Sequence, residues 1–412
     1  MRILHITTQK PNSTGSGIYM CGMIKGFEKL GYNQSVIAGI DVDDNIEDLR
    51  KYFGKTEFYP VVYNTDDLDF NVVGMSDSMP YKSTRYRDLN EDMVKKLKKA
   101  FEKQINIALS EFKPDIIICH HLYLLTAFVR EIVKDKNIKI AGICHGTCLR
   151  QLKTIPLERD YIKENIKKLD TIFALHEEQK RDIISVFNVK EDKVKVIGSG
   201  YNDSIFKDKN YNLNKDYIEL VFAGKICKSK GLIPFIECLD RLDYRDDFIK
   251  VRLAGTGSDK ESYDEIVKKA DNSRFDIKFL GKLNQNDLSE EFNKADIFVL
   301  PSFYEGLPVV VLEAMACGTD VVVTDIPGVK EWIGDKINNS GKIKYVELPK
   351  MKSVGVPDEN SIESFEDRLA NSLNQMIKEN LDTKNHKRFI DMSEKTWDGL
   401  AKRMEDMIIK TK

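Results

Sequence analysis

The stretch that decides the fold is Pro301 to Gly318, with the sequence PSFYEGLPVVVLEAMACG. The apolar run at 296–300 leads into it and predicts a short buried strand. The proline and glycine residues that follow predict a turn. Pro308 suits the first position of a helix, and Gly318 suits its C-terminal cap. The stretch therefore predicts a strand, a loop and a helix in that order.

Two carboxylates occupy defined places in this pattern, since seven residues separate Glu305 in the loop from Glu313 in the helix. We expect the backbone N–H groups of Gly306 and Leu307 to point beyond the carboxyl end of the strand, where they would bind an anion. An anion site beside a carboxylate indicates a ligand that carries both phosphate and hydroxyl groups. A nucleotide sugar is such a ligand.

The complete string, PS-x-x-EG-x-P through EAMACG, resembles the donor-binding signature of the retaining glycosyltransferases of family 4 (glycosyl transferases group 1), which have the GT-B fold. The resemblance implies that Glu305 contacts the hydroxyls of the donor sugar and that Glu313 holds the ribose hydroxyls of the nucleotide. Two glutamates at this spacing without the rest of the string would favour a core helix with one surface acid.

Size and composition limit the class of protein. A chain of 412 residues that is 42% hydrophobic predicts two or three domains with ample cores. A net charge of −2 does not indicate a nucleic-acid partner, and seven cysteines, most of them in apolar runs, predict reduced and buried thiols. No apolar run reaches membrane-spanning length, and Met1 leads directly into a predicted strand. We expect a cytoplasmic enzyme without a signal peptide.

The first half of the chain begins with a strand, a polar loop and a helix, as in Rossmann-like sheets. The strand covers Arg2–Thr7, the loop Gln9–Gly17, and the helix Ile18–Leu30. The family resemblance implies that the loop residues approach the donor diphosphate or the acceptor: Gly15, Ser16 and Gly17. A simple tight turn explains the same local sequence equally well.

The next region combines an acidic segment with a lysine-rich helix. Residues 41–92 are acidic and irregular in pattern, and we expect an insertion or a mobile segment that faces the cleft. Residues 93–109 have apolar side chains four apart and predict a helix with a lysine-rich outer face. We interpret this face as solvated. The alternative is a weak peripheral contact with an anionic membrane.

Three histidines follow predicted strands, at the edge where open α/β sheets bind ligands. For His120 and His121, a hydrogen-bonded structural role and a role on the acceptor side are equal alternatives. His145 precedes Gly-Thr and resembles the family's N-terminal-domain histidine, which lies by the donor sugar and the attacking hydroxyl. The resemblance places Thr147 and Arg150 on the acceptor side.

The second half begins with a strand that leads into Gly224 and a loop with several lysines. A glycine at a strand end, cations and a helix N-terminus predict a phosphate-binding loop, although the P-loop order is absent. The resembling family has an Arg and a Lys that clamp the donor diphosphate. Lys225 replaces that Arg, which keeps the charge and loses the bidentate geometry, and Lys230 matches the family's Lys.

The resemblance implies two Rossmann-like domains that face a central cleft, with a C-terminal helix that crosses back to the first domain. We predict an N-terminal acceptor-side domain at 1–206 and a linker at 207–216. A nucleotide-sugar-binding domain at 217–385 and the returning helix at 386–412 follow. Trp397 would pack this helix in place.

The predicted activity is metal-independent, retaining transfer from a UDP-hexose or UDP-N-acetylhexosamine to an acceptor hydroxyl. His145, Glu305 and Lys230 are the predicted catalytic residues, and we expect neither a metal nor another cofactor. A nucleotide-sugar epimerase of the same fold and a non-catalytic nucleotide-sugar-binding subunit are the alternatives.

Overall fold

Strands and helices alternate along the chain, and the computed structural model shows two parallel sheets, one in each of two units. Unit 1 comprises Met1–Gly200 together with Ser393–Lys412, and unit 2 comprises Tyr201–Met392. The structure describes residues 1–211, 215–257, 259–382 and 390–408.

Unit 1 is built on a seven-stranded sheet in which every neighbouring pair is parallel. The strand order is β3-β2-β1-β6-β7-β8-β9, so the direction of winding reverses between β1 and β6. Ligands bind at such reversal points in open α/β sheets. Two further strands, β4 and β5, form a separate small pair. The strands are β1 (Arg2–Thr7), β2 (Asn33–Asp41), β3 (Glu57–Tyr63), β4 (Val73–Gly74), β5 (Thr84–Arg85), β6 (Ile116–His120), β7 (Lys139–Ile143), β8 (Thr171–Ala174) and β9 (Val194–Val196).

Helices connect these strands and bury their apolar faces against the sheet. They are α1 (Gly15–Lys29), α2 (Ile46–Arg50), α3 (Glu91–Glu111), α4 (Leu124–Ile132), α5 (Thr147–Thr154), α6 (Arg159–Ile166) and α7 (Glu177–Phe187). The helix predicted at 93–109 is confirmed as α3, which begins earlier because the Asn90 side chain accepts a hydrogen bond from the Met93 amide.

Two sequence predictions for unit 1 were wrong. Residues 41–92 are not an irregular segment throughout, because β3 lies within them and Phe53 and Tyr63 are fully buried. Gly15, Ser16 and Gly17 are not in a loop but form the first turn of α1. The helix begins there because Thr14 accepts a hydrogen bond from the Gly17 amide and caps it.

Unit 2 contains a six-stranded parallel sheet in the order β12-β11-β10-β13-β14-β15 and a small antiparallel hairpin of β16 and β17. The direction of winding reverses between β10 and β13. The strands are β10 (Ile218–Ala223), β11 (Ile249–Ala254), β12 (Asp276–Gly281), β13 (Ile297–Leu300), β14 (Asp320–Thr324), β15 (Ile343–Val346), β16 (Met351–Ser353) and β17 (Val356–Pro357).

The helices of unit 2 are α8 (Leu232–Leu239), α9 (Lys260–Asp271), α10 (Gln285–Lys294), α11 (Val309–Ala316), α12 (Val329–Ile333), α13 (Asp335–Asn338) and α14 (Ile362–Asp382). Helix α11 is the one predicted from the opening stretch. Pro308 caps it rather than occupying its first turn. At its end, Gly318 has φ +92°, and the amides of Gly318 and Thr319 donate to the carbonyls of Met315 and Ala314. This is the Schellman arrangement that a glycine after a helix predicts.

The boundaries of the units differ from those predicted. Residues 201–206 belong to unit 2, where Ser289 Oγ donates to the Ile205 carbonyl at 2.8 Å and Phe206 is buried. The predicted linker at 207–216 packs against α10 in its described part, since Asn293 Nδ2 donates to the Lys207 carbonyl at 3.1 Å. Residues 212–214 of that linker lie outside the described residues, as do 386–389 of the predicted returning segment.

The last helix, α15 (Trp397–Ile408), belongs to unit 1, which the chain re-enters at Ser393. Its buried face packs against α1 and consists of Trp397, Leu400, Ala401, Met404 and Ile408. The return of a C-terminal helix to the first domain is therefore confirmed.

Candidate active site

Two loops of unit 2 meet where the winding of its sheet reverses. The first follows β10 and ends in a 3₁₀ turn at Lys228–Lys230, and the second follows β13. The Phe303 amide donates to the Ser229 carbonyl at 3.0 Å. Gly231 has φ +66°, and a Cβ there would lie 1.9 Å from the Pro301 carbonyl oxygen. Glycine at this position lets the two loops touch, because it accepts the left-handed conformation and leaves room for the carbonyl.

This contact brings together Lys230 and Glu305, two predicted catalytic residues. Lys230 Nζ lies 2.7 Å from Glu305 Oε1, and the two side chains are only 20% and 16% exposed. Ser302 Oγ donates to the same carboxylate oxygen at 2.7 Å. Within the described part of the chain, Glu305 Oε2 makes no hydrogen bond, so one oxygen is held in place and the other is available to a ligand.

The start of α11 adds amide donors beside this ion pair. In residues 1–211, 215–257, 259–382 and 390–408, no acceptor bonds the backbone N–H groups of Gly306 or Leu307. Gly306 is exposed, and a Cβ there would contact nothing within 4 Å. An anion could therefore approach these amides directly.

Glu313 lies within α11, and its side chain is half-buried. Burial raises the pKa of Glu313 to about 7. The carboxyl group therefore changes charge near neutral pH, and ligand hydroxyls that donate to it would favour its ionised form.

Lys225 is exposed, unlike Lys230. It follows Gly224, where the chain continues the ladder beyond β10, since the Gly224 amide donates to the Ala254 carbonyl at 2.9 Å. Gly255 makes this possible, because a Cβ there would lie 1.7 Å from the Gly224 carbonyl oxygen. Lys225 therefore follows a hydrogen-bonded glycine and exposes its cationic side chain, and no contact in the described residues ties it to Glu305.

In unit 1, polar side chains gather at the carboxyl ends of β1, β6 and β7. Gln9 Nε2 lies 2.7 Å from His121 Nε2, and Ser16 Oγ lies 2.9 Å from the same nitrogen. An amide nitrogen only donates, so His121 Nε2 accepts and the proton is on Nδ1. That nitrogen lies 3.3 Å from Cys148 Sγ. His121 has φ +78°, and these contacts hold it in a conformation that residues other than glycine rarely adopt.

His145, the third predicted catalytic residue, lies beside His120. His120 Nδ1 and His145 Nε2 are 3.4 Å apart, and the rings stack with an interplanar angle of 13°. Burial, and secondly the neighbouring His121, lower the pKa of His145 well below its usual value. His145 is therefore neutral at pH 7 and can accept or donate a hydrogen bond at a ring nitrogen.

The other two residues predicted on the acceptor side, Thr147 and Arg150, differ in their surroundings. Thr147 begins α5, and among the described residues its buried Oγ1 has no hydrogen-bond partner. Arg150 is exposed one turn later on the same helix. The structure thus places His120, His121, His145 and Thr147 together in unit 1, and Lys230, Glu305, Gly306 and Leu307 together in unit 2.

Several residues in these clusters were not predicted: Gln9, Cys148 and Ser302, together with His5, whose ring centroid lies 6.0 Å from that of His120, and Tyr19, whose ring centroid lies 5.0 Å from that of His145. Gln9 and Ser302 follow buried strands, which is a usable signal. Cys148 and Tyr19 carry no such signal, because each is an apolar-looking residue on a helix.

The lysine-rich face of α3 is partly neutralised. Lys96 pairs with Asp69 and Asp92, and Lys98 lies 2.7 Å from Glu131 Oε2. In the part of the chain that the structure describes, none of the helices combines the length and the apolar composition needed to cross a membrane.

Models of known protein families match both halves of the chain. The description "Glycosyltransferase Family 4" matches residues 14–204, and "Glycosyl transferases group 1" matches residues 203–345. The chain belongs to glycosyltransferase family 4. This glycosyltransferase is 26% identical to an uncharacterized glycosyltransferase of Methanocaldococcus jannaschii, over 98% of its own length and 96% of the relative's.

A second relative and a solved structure extend the comparison. The glycosyltransferase is 31% identical to the alpha-maltose-1-phosphate synthase of Mycobacterium tuberculosis over 161 residues, which is 38% of each chain. The structure aligns with the crystal structure of Anabaena HepE in complex with UDP and glucose. The alignment covers 100% of each chain, with a TM-score of 0.65 and 14% sequence identity. This likeness confirms the predicted GT-B fold.

Proposed function

We propose that this glycosyltransferase moves a sugar from a nucleoside diphosphate sugar to an acceptor hydroxyl, with retention of configuration and without a divalent metal. The donor would be a UDP-hexose or a UDP-N-acetylhexosamine. The observation that carries the proposal is the ion pair of Lys230 and Glu305 beside the amides of Gly306 and Leu307. It places a cation, amide donors and a carboxylate oxygen within one small site.

Each group has a role that follows from its chemistry. Lys230 and the two amides would stabilise the negative charge that develops on the leaving diphosphate. The free Oε2 of Glu305 would accept hydrogen bonds from sugar hydroxyls, while Ser302 keeps the carboxylate oriented. Glu313 would accept hydrogen bonds from the ribose hydroxyls. The solved Anabaena protein, which shares the fold, holds UDP, and this supports uracil as the base.

Retention is supported by the family resemblance of the donor stretch. In the proposed step, the bond between the anomeric carbon and the diphosphate oxygen breaks, and a bond to the acceptor oxygen forms on the same face of the sugar. The acceptor proton passes to the leaving diphosphate oxygen, so no protein base is consumed. His145, neutral at pH 7, would orient a hydroxyl group by a single hydrogen bond.

The test is incubation with radiolabelled UDP-sugars, with and without candidate acceptors. A labelled conjugate formed only with acceptor supports transfer. An epimerised UDP-sugar without acceptor would indicate the epimerase, and binding without either product would indicate a non-catalytic subunit. Lys230→Ala should abolish the product, whereas Lys228→Ala should retain it, because Lys228 turns away to pair with Glu265 at 2.6 Å.

A further inference from the structure

The C-terminal helix of unit 1 is fitted to α1 through a single large side chain. A Cβ on Gly22 would lie 2.2 Å from the Trp397 ring, and a Cβ on Gly26 would lie 2.5 Å from the Trp397 carbonyl oxygen. A Cβ on Gly200 would lie 2.7 Å from the same ring. Gly22 and Gly200 therefore leave room for the Trp397 ring, and Gly26 leaves room for its backbone.

Tyr19 extends this packing towards the histidine cluster. Its ring meets Trp397 edge-on, with centroids 5.4 Å apart and an interplanar angle of 79°. It meets His145 in the same way on another side, at 5.0 Å and 78°. The Tyr19 hydroxyl donates to the Gly198 carbonyl at 3.1 Å, and the buried ring packs between the two aromatic contacts. Edge-to-face pairs at such distances are favourable beyond the area that they bury.

His145 needs support from outside its own segment. It follows the last residue of β7 by two positions, and the next residue is Gly146 with φ +76°. Its remaining ring neighbours are His120, stacked with centroids 5.6 Å apart, and His121, tilted at 4.9 Å. Of these three ring neighbours, Tyr19 is the one that lies on a helix, α1, and its ring also contacts Trp397 of α15.

We propose that Tyr19 is a positioning residue that transmits the packing of α15 to His145. The C-terminal helix thereby sets the orientation of a residue far from it in the sequence. The inference rests on the function proposed for His145. Misplacing a catalytic group by about 1 Å can lower the rate about a hundredfold, so a loose His145 ring would lower turnover without affecting the donor site of unit 2.

The experiment compares four single variants of the full chain. Tyr19→Leu removes the ring contacts with both His145 and Trp397. Trp397→Leu removes only the contact between Trp397 and Tyr19. Tyr19→Phe keeps the ring and loses only the hydroxyl. Met404→Ala is the matched control, because it removes packing from the same buried face of α15 and is not a ring neighbour of Tyr19. Thermal unfolding confirms that each variant is folded.

The first readout is the NMR resonance of the His145 ring, obtained with carbon-labelled histidine and assigned with His145→Gln. We expect the resonance to move in Tyr19→Leu and Trp397→Leu and to stay in place in Tyr19→Phe and Met404→Ala. The second readout is kinetics. We expect Tyr19→Leu to lower kcat at least about tenfold with KM for the donor within about twofold, and Tyr19→Phe to restore kcat.

An unmoved His145 resonance in Tyr19→Leu would overturn the proposal, as would equal losses of kcat in Tyr19→Leu and Met404→Ala. Failure of the proposed function is distinguishable from both. It would show as wild-type turnover in His145→Gln, while the resonance would still report whether Tyr19 holds the ring.

Discussion

Lys230 and Glu305 come from two separate strand-to-helix loops, and their side chains lie 2.7 Å apart in unit 2. Both are mostly buried, and Ser302 fixes the carboxylate from a second direction. The pair is therefore built before any donor binds. A donor diphosphate would meet a cation that the protein already holds in place, which lowers the cost of ordering on binding.

Replacing Lys230 should weaken donor binding and turnover together. We expect Lys230→Ala to weaken UDP binding by about 1.5–3 kcal/mol, the range for a hydrogen bond to a charged group. Isothermal titration calorimetry measures this loss. Lys228→Ala is the control, since that side chain is 57% exposed and pairs with Glu265. Equal affinities in the two variants would contradict a role for Lys230 at the diphosphate.

Gly231→Ala should separate the two loops of unit 2. The added methyl group would lie 1.9 Å from the Pro301 carbonyl oxygen, at a residue with φ +66°. The left-handed conformation alone costs an L-residue about 1–2 kcal/mol, and the clash adds to it. We expect a lower melting temperature and loss of UDP binding. Gly306→Ala controls for stability, because a Cβ there meets nothing within 4 Å and should leave the melting temperature unchanged.

The Glu313 carboxyl group should make stability depend on pH. Burial raises its folded-state pKa to about 7, above the usual value of 4.5. The stabilisation that this group contributes is fully present below its pKa in the unfolded chain. It is lost as the pH rises through its pKa in the folded protein. We expect Glu313→Gln to be more stable than the wild type at pH 8, by up to about 2–3 kcal/mol, and equally stable at pH 4.5. Urea unfolding at the two pH values measures this difference.

The same residue allows a test of ribose binding. We expect Glu313→Ala to weaken UDP binding by about 1–3 kcal/mol through loss of charged hydrogen bonds. Affinity of the wild type should rise between pH 6 and 8 as the carboxyl group ionises, and that of Glu313→Gln should not. Unchanged affinity in Glu313→Ala would disprove the assignment.

Unit 1 should lose stability in mild acid. Burial lowers the pKa of His5 to about 4 and those of His120 and His145 well below the usual value. Below pH about 6.5 the unfolded chain gains protons that the folded unit excludes, so each histidine lowers the free energy of unfolding by up to about 1.4 kcal/mol per pH unit.

A Trp332→Phe background isolates the signal of unit 1, because the chain has two tryptophans and Trp397 is the other. We expect urea unfolding of this variant, followed by fluorescence between pH 5 and 6.5, to become less pH-dependent when His120 is replaced by Asn. An unaltered slope would show that His120 is already protonated in the folded state.

We expect turnover to persist in EDTA, because Lys230 and backbone amides supply positive charge where the diphosphate would bind. An Asp-x-Asp sequence does occur at Asp41–Asp43, a common metal-binding pattern in transferases. Asp41 Oδ2, however, accepts from Asn64 Nδ2 at 2.6 Å, and its Oδ1 accepts from the Asp43 amide. Activity that disappears in EDTA and returns with Mg²⁺ or Mn²⁺ would refute this prediction, and Asp43→Asn would then show whether that pair binds the ion.

Local signals were sufficient where the structure depends on near neighbours. The strand, turn and helix of 296–318 follow from a short apolar run, Pro308 and Gly318, and the Schellman bonds after α11 are formed within that segment. The resemblance of the same stretch to family 4 predicted the fold. It could do so because the residues of the stretch come from one strand-loop-helix unit that is continuous in the sequence.

Local signals misled where a neighbour in space decides. Residues 57–63 are aromatic and β-branched, which favours a strand, but they lie within the acidic stretch 41–92 that we interpreted as irregular. Strand β3 lies at the edge of the sheet and pairs with β2 only, so a proline that cannot donate is tolerated there. The start of α1 was misplaced for a related reason, since three small residues resemble a loop until Thr14 caps them.

The resemblance of the sequence to family 4 predicted which side chains would carry the chemistry: His145, Lys230, Glu305 and Glu313. Only the tertiary structure decided which of them touch. Lys230 meets Glu305 because Gly231 admits the Pro301 carbonyl, and Tyr19 contacts both His145 and Trp397, which three glycines admit. Such contacts require a residue without a Cβ where two segments distant in the sequence cross. Secondary-structure propensity and hydrophobic periodicity describe one segment at a time, so they do not predict where two segments cross.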